Sequence, residues 1–271
     1  MNQLDTRLLF RTLLRPMRID TVCDVGSMDG TEACAFRAQL PAARIVALEA
    51  NPENFRRMHA DPRLSEAGVE LIDAAASAFD GEASFFVVAA DFASQDIRRG
   101  HSSLRRRDAP AGALHEVRVR TLRLDSLLRA DPRDRLALWI DVEGLAYEVI
   151  EGAHGILARV QLLHIEVESS PCISTGQRLA PEVISLLATH GFDEIAVDQP
   201  HSSAQFNVVF LRRGQDAATL RQVRRAIAWG NLRHRGIRLG DRATPGLMRR
   251  LRTWRAKRNT TRAPVPRAAR P

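Results

Sequence analysis

Seven short apolar runs recur along the chain, and most of them are separated by segments with helical spacing. The runs are TVCDV, RIVALEA, VELIDAA, LALWIDV, LLHIEVE, EIAV and NVVFLRR. Segments such as PENFRRMHA and PEVISLLATHG carry apolar residues three or four positions apart. Because strands that alternate with helices form parallel sheets covered on both faces, this pattern predicts a mostly parallel, doubly wound α/β fold.

Turn and loop signals refine this pattern. Pro52 and Pro181 lie where the first turn of a helix tolerates proline, and Gly191 fits the end of a helix. Between Gly81 and Pro110 the spacing changes. There, EASFFVVAA predicts one or two additional strands, and the polar stretch QDIRRGHSSLRRRDAP predicts a loop near the functional site.

Charge divides the chain into an acidic and a basic part. Residues 1–211 carry 22 arginines against 30 acidic residues, whereas residues 212–271 carry 18 basic residues against 2 acidic ones. We expect a helical lead-in over residues 1–18, one main domain over 19–213, and a basic helical extension over 214–271 with a disordered end.

Composition narrows the class of protein further. The sequence contains no apolar run near the roughly 20 residues that cross a membrane, and its start lacks the apolar core and cleavage site of a secretory signal. Cys23, Cys34 and Cys172 form no Cys-x-x-Cys pair, which disfavours a disulfide framework and a zinc site. These features predict a soluble, cytoplasmic protein.

The stretch DVGSMDG follows the first apolar run and predicts a ligand-binding turn. In an open α/β sheet the ligand lies beyond the carboxyl ends of the strands, where Gly26 and Gly30 let the backbone approach it. A dinucleotide site would need Gly-x-Gly-x-x-Gly, and the carboxylate of Asp24 suits a cationic amino-acid moiety better than a pyrophosphate. Glu49, at the end of the second run, can bind both hydroxyls of a ribose, so the set predicts a nucleoside site.

Three further run ends carry polar candidates. Asp73 and Ala75 lie at the end of the third run, where an adenine would bind with Asp73 at its exocyclic amine and Ala75 or Ala76 along its ring. Asp73 can equally be a helix cap or turn residue. Asp141 and Glu143 lie two residues apart at one strand end, and His164, Glu166 and Glu168 show the same spacing on another, so each set shares one strand face. Charged residues there need partners or a function, which leaves a structural network and a catalytic crevice as alternatives.

Several segments between Thr21 and Glu168 form one ordered set: DVGSMDG, LEANPENF, AAASAFDGEASF, HSSL, VRTLRLDSLL and WIDVEGLAYEVIEGA. In this order they resemble the FkbM-type methyltransferases that use S-adenosylmethionine (SAM). The resemblance implies a Rossmann-like fold with a seven-stranded sheet, and O-methylation of a hydroxyl on a sugar, polyketide or other secondary metabolite. Met28 and Ala146 depart from the family pattern, which usually has Asn and a second Glu at these positions.

The SAM site expected from these motifs comprises Asp24, Gly26, Ser27, Gly30, Glu49, Asn51, Asp73 and Ala75. We expect Asp141 beside the transferring methyl group, and His164 as the general base because the usual pKa of histidine lies near neutrality. Glu143 and Glu166 complete the catalytic set. Together with Asp141 they could instead hold Mg²⁺, although a site without metal is the preferred prediction.

Two other classes of protein fit the sequence less well. The glycine spacing disfavours a nicotinamide-dependent oxidoreductase. The acidic core and single tyrosine disfavour a nucleic-acid-binding or RNA-modifying protein that uses the arginine-rich tail. The tail also carries apolar residues such as Ile227, Trp229 and Leu232. It predicts either peripheral contact with an anionic membrane, at the inner membrane face, or helices that pack back on the core or form a dimer contact.

Overall fold

The computed structural model of the chain describes residues 2–89, 100–129 and 133–243, with side chains up to Leu232. The strands are β1 (Thr21–Val25), β2 (Arg44–Glu49), β3 (Glu70–Asp73), β4 (Ala75–Ala76), β5 (Gly81–Val88), β6 (Leu114–Leu122), β7 (Leu136–Ile140), β8 (Val160–Glu168), β9 (Phe192–Val197) and β10 (Gln205–Arg212). The α-helices are α1 (Thr6–Leu14), α2 (Thr31–Gln39), α3 (Pro52–His59), α4 (Pro62–Glu66), α5 (Leu124–Leu127), α6 (Ala146–Glu151), α7 (Ala180–Thr189) and α8 (Ala217–Ala243).

Seven strands form one sheet in the order β3-β2-β1-β7-β8-β10-β9. β10 is antiparallel to both of its neighbours, and the other pairs are parallel. One face of the sheet packs on α5, α6 and α7, and the other packs on α1, α2 and the start of α8. The seven apolar runs of the sequence are the seven strands of this sheet, so the predicted α/β fold with helices on both faces is confirmed.

A smaller sheet, in the order β4-β6-β5, contributes to the functional site. β5 is an additional strand that EASFFVVAA predicts. β6 was not predicted, because its residues alternate between exposed arginines and partly buried valines and form no apolar run. Ser103 bridges to Phe86 on β5, which brings the segment 100–110 to the edge of this sheet.

Helices α1 and α8 cover the same face of the large sheet. Thr219 and Val223 are buried, and a Cβ atom on Gly230 would lie 3.3 Å from the side chain of Leu4. The start of the basic extension therefore packs back on the core, as one of the two alternatives for the tail predicts. Within the described ranges, no helix is long and apolar enough to cross a membrane.

The three predicted parts of the chain remain a prediction. Their boundaries fall between α1 and β1 and between β10 and α8. The end of the tail, which the sequence predicts to be disordered, lies outside the described residues.

Candidate active site

The turns that follow β1 and β7 touch through their backbones. A Cβ atom on Gly26, which has a φ of +83°, would lie 1.9 Å from the carbonyl oxygen of Asp141. The N–H of Asp141 donates to the carbonyl oxygen of Val25 at 2.9 Å. Because only glycine fits such an approach, Gly26 brings two strand ends together at one crevice.

A cavity lies at this crevice, with about 520 Å³ of space between its atoms when the open solvent at its mouth is included. We call it the first cavity. The predicted site residues that line it are Gly26, Glu49, Ala75, Asp141 and Glu143. Much of its wall is apolar, with side chains that the sequence analysis did not single out: Leu48, Ala50, Phe85, Leu104, Val142 and Leu145.

Glu49 forms a polar part of that wall and is 6% exposed. Its Oε2 accepts the N–H of Met28 at 2.6 Å, and its Oε1 accepts the N–H of Asn51 at 2.7 Å. Burial raises the pKa of Glu49 to about 7, against the lowering effect of these backbone hydrogen bonds. The side chain of Asn54 and the backbone of Ala50 also hydrogen-bond to this carboxylate, which lies in the wall of the first cavity.

Asp24 and Ser27 lie under the β1 turn and are not among the described residues that line the first cavity. The hydroxyl of Ser27 donates to Oδ2 of Asp24 at 2.6 Å, while Oδ1 is buried without a hydrogen-bond partner among the described residues. Burial raises the pKa of Asp24 to about 7. The pair therefore supports the turn from beneath.

Gly30 and Asn51 shape the starts of two helices instead of the cavity wall. Gly30 caps α2 with a φ of +72°, and a Cβ atom there would lie 2.5 Å from Leu64. Asn51 caps α3 by accepting the N–H of Glu53 at 3.0 Å, and its Nδ2 donates to the hydroxyl of Ser102 at 3.3 Å. In the structure both residues position the backbone around the first cavity, and the direct cofactor contacts expected of them stay predictions.

The structure corrects the prediction for Asp73. Its side chain is exposed at the end of β3 and is not among the described residues that line the first cavity. The buried residues Ala74, Ala75 and Ala76 follow it and form that part of the wall. Asp73 is the last residue of β3 and borders the bend at Ala74, which is close to the alternative for this residue, a helix cap or turn position.

Asp141, Glu143 and Glu166 converge at the crevice, where one carboxylate oxygen of each lies within 4.8 Å of the others. Burial, and then the negative charges of Asp141 and Glu143, raises the pKa of Glu166 far above its usual range. Glu166 is therefore protonated at neutral pH and hydrogen-bonds to Asp141. Burial, and then the charge of Glu143, also raises the pKa of Asp141, whose carboxylate is still exposed to the crevice.

Glu143 is held from two sides. Arg107 forms an ion pair with its Oε2, and the Nε2 of Gln205 lies 3.4 Å from the same oxygen and 3.3 Å from Oε2 of Glu166. The backbone of Glu143 has a φ of +50°, which is uncommon for a residue other than glycine. The hydroxyl of Ser103 donates to its carbonyl oxygen at 2.8 Å, so several contacts together stabilise this unusual turn.

A second cavity, of about 880 Å³, meets the first at Asp141, which lines both. Its other lining residues come from the N-terminal segment, from β7 and β8, and from the region of β9 and β10: Leu4, Asp5, Thr6, Arg7, Trp139, His164, Glu166, Asp198 and Asn207. Arg7 pairs with Glu32 at 3.0 Å. Asp141 thus lies where the two cavities meet.

The structure disfavours the prediction that His164 is the general base, although this residue lines the second cavity. Its ring is 2% exposed and stacks on Trp139, and its Nε2 lies 3.1 Å from the hydroxyl of Thr6. Burial, and then the positive charge of Arg7, lowers the pKa of His164 well below its usual range. A neutral ring packed between α1 and the sheet has a structural role, which was the alternative weighed for this residue.

The polar residues of the site that were not predicted include Arg7, Arg107 and Gln205. Arg107 belongs to the loop predicted near the site, but nothing local distinguishes it from Arg105 and Arg106. Gln205 reaches Glu166 because β10 pairs antiparallel with β8, a long-range pairing that no local pattern indicates.

A sheet of this order, with an acidic residue at the end of β2 and a cavity across the carboxyl ends of the strands, defines a Rossmann-like enzyme fold. The sequence model of the methyltransferase FkbM domain matches residues 24–194. The chain belongs to the FkbM methyltransferase family.

Solved structures with a similar fold include three methyltransferases. FkbM from Methylobacillus flagellatus KT is 12% identical, with 71% of this chain and 43% of that chain covered and a TM-score of 0.43. Precorrin-6y C5,15-methyltransferase from Geobacter metallireducens GS-15 is 14% identical, with 73% and 83% covered and a TM-score of 0.39. Magnesium protoporphyrin IX methyltransferase from Synechocystis PCC 6803 is 8% identical, with 77% of each chain covered and a TM-score of 0.43. No protein of curated function matches the chain in sequence.

Proposed function

We propose that the chain is a SAM-dependent O-methyltransferase whose acceptor is a small molecule or glycan with a free hydroxyl group. The position of Asp141 carries this proposal, because this residue lines both cavities. The first cavity suits the methyl donor, and the second suits the acceptor.

The residues of the first cavity fit the nucleoside part of SAM. Glu49 offers a carboxylate for the two ribose hydroxyls, and the apolar residues Ala75 and Phe85 suit the faces of an adenine ring. Gly26 leaves the backbone of the β1 turn open to close approach. When bound, SAM supplies a methyl group on a positively charged sulfur, and the negative charge of Asp141 favours such a group nearby.

Transfer to a hydroxyl forms a carbon–oxygen bond, breaks the carbon–sulfur bond with its electron pair left on sulfur, and releases one proton. Asp141 accepts that proton. It is the ionised member of its pair at neutral pH, because Glu166 retains a proton, and its raised pKa makes it a better base than an ordinary aspartate. Glu166 and Glu143, the latter paired with Arg107, position Asp141.

Replacing Asp141 by Asn tests this role. Release of S-adenosylhomocysteine from SAM is measured with methyl glycosides and nucleotide-activated sugars as probes. With a probe that the wild type turns over, Asp141→Asn should lower kcat by about 10²–10⁴-fold, the usual contribution of general acid–base catalysis. Asp73→Asn, at an exposed strand end, is the matched control and should leave kcat unchanged. Normal turnover by Asp141→Asn would exclude Asp141 as the proton acceptor.

A further inference from the structure

Helix α8 has an inner and an outer face in the part whose side chains are described. The inner face packs on the core through Thr219, Leu220, Val223, Ala226 and Ile227. The outer face consists of Arg221, Arg225, Ala228, Trp229 and Leu232, all of which are exposed. Their spacing of four, three, one and three residues keeps them on one side of a helix with 3.6 residues per turn.

The outer face combines apolar and basic side chains. Trp229 is 49% exposed and Leu232 is 68% exposed, and among the described residues the other large apolar side chain with comparable exposure is Phe79. Two of these three side chains therefore lie within one turn of a single helix. Residues 217–232 contain no acidic residue, so the arginines of the outer face have no carboxylate neighbour within this stretch of the helix.

We propose that the outer face of α8 docks on an anionic lipid bilayer. In this arrangement Trp229 and Leu232 enter the interfacial layer, and Arg221 and Arg225 contact lipid phosphates. The charge of this part of the sequence supports this occupant, because residues 212–271 carry 18 basic residues against 2 acidic ones. Lipid surface potential adds roughly 1 kcal/mol per basic residue near the membrane.

A second copy of the chain is a poorer occupant of this face. A symmetric dimer contact places the same patch on both partners, so the arginines of both copies would be brought into one interface. The docking proposal does not depend on methyl transfer. It would nevertheless bring the second cavity close to the bilayer, because Gly230 of α8 packs on Leu4, which lines that cavity.

Flotation of the full chain with lipid vesicles tests the proposal. The wild type should float at low salt with vesicles of phosphatidylglycerol and phosphatidylcholine in equal parts, and should not float with phosphatidylcholine alone. The variant Arg221→Gln/Arg225→Gln should lower the partition coefficient about thirtyfold. Trp229→Ser/Leu232→Ser should lower it at least tenfold, because burial of large side chains is lost.

Matched control variants on other surfaces distinguish binding through the outer face from non-specific binding of exposed side chains to vesicles. Phe79→Ser removes an apolar side chain as exposed as Trp229, and Arg118→Gln removes an arginine that is 62% exposed. Both variants should float like the wild type, and thermal melts should show that all variants fold.

Four results would overturn the proposal. The first is a wild type that does not bind the vesicles, and the second is a set of outer-face variants that float as well as the wild type. The third is an outer-face variant that floats normally but no longer forms a dimer in sedimentation velocity. The fourth is an outer-face variant that floats normally but no longer binds RNA. The second result would assign vesicle binding to another segment, and the last two would assign the outer face to a second copy or to nucleic acid.

Discussion

The imidazole of His164 lies flat on the indole of Trp139, with ring centroids 3.6 Å apart and planes 2° apart. Phe10 on α1 meets both rings edge-on, at 5.5 Å from Trp139 and 6.0 Å from His164. His164 therefore joins α1 to the sheet, and its replacement should change stability more than chemistry.

The variants His164→Phe and His164→Ala separate these two effects. His164→Ala leaves a void beside Trp139 and should lower the free energy of unfolding by roughly 2–4 kcal/mol, measured by urea denaturation. His164→Phe retains a ring and should keep the pH profile of kcat/KM unchanged. A folded His164→Phe that loses activity at neutral pH would restore His164 as the general base.

The buried carboxyl group of Asp24 should make stability depend on pH. Burial raises its pKa to about 7, from an ordinary value near 4. A raised carboxyl pKa contributes stability that is complete below about pH 4 and is lost as the pH rises through 7. Asp24→Asn removes this loss. Between pH 5 and pH 8 the free energy of unfolding of the variant should therefore rise by roughly 2–3 kcal/mol relative to that of the wild type.

Urea denaturation at pH 5 and pH 8 measures this difference. Asp73→Asn changes an exposed side chain, so the difference between its free energy of unfolding and that of the wild type should be the same at both pH values. If the free energy of unfolding of Asp24→Asn relative to the wild type stays constant or falls from pH 5 to pH 8, the raised pKa of Asp24 would be contradicted.

Metal chelation should leave methyl transfer unaffected. The carboxylates of Asp141, Glu143 and Glu166 are close enough to hold a cation, but Arg107 already neutralises Glu143, and Glu166 hydrogen-bonds to Asp141. A Mg²⁺ ion would have to displace these partners. Turnover is compared before and after treatment with EDTA, and a loss that added Mg²⁺ restores would show that the cluster binds metal.

The fold could be predicted largely from local pattern, because most strands of the large sheet are buried and form apolar runs that alternate with helical segments. β6 was not predicted because its valines alternate with exposed arginines, so it forms no apolar run. It pairs with β5 in the small sheet. Its period of two was the available signal. The sequence could predict that the segment 100–110 lies near the site. It could not predict that Arg107 of this segment forms an ion pair with Glu143.

The site residues at strand ends were predictable where the backbone decides the geometry. Gly26 and Glu49 follow from the topology of parallel strands, and both line the first cavity. His164 could not be placed, because alternation gives the face of a strand but not whether a distant helix such as α1 covers that face. Asp73 does not line the first cavity, because the part of the wall formed by this segment begins one residue later, at Ala74.

Calorimetric titration of the chain with SAM tests the central claim most directly. Glu49→Ala removes the carboxylate proposed for the ribose hydroxyls, and hydrogen bonds to a charged group contribute about 1.5–3 kcal/mol. The variant should therefore bind SAM roughly ten- to a hundredfold more weakly than the wild type, while Asp73→Ala, at the neighbouring strand end, should bind like the wild type. Thermal melts confirm that Glu49→Ala is folded. Absence of SAM binding by the wild type, or equal affinity of Glu49→Ala and the wild type, would contradict the account.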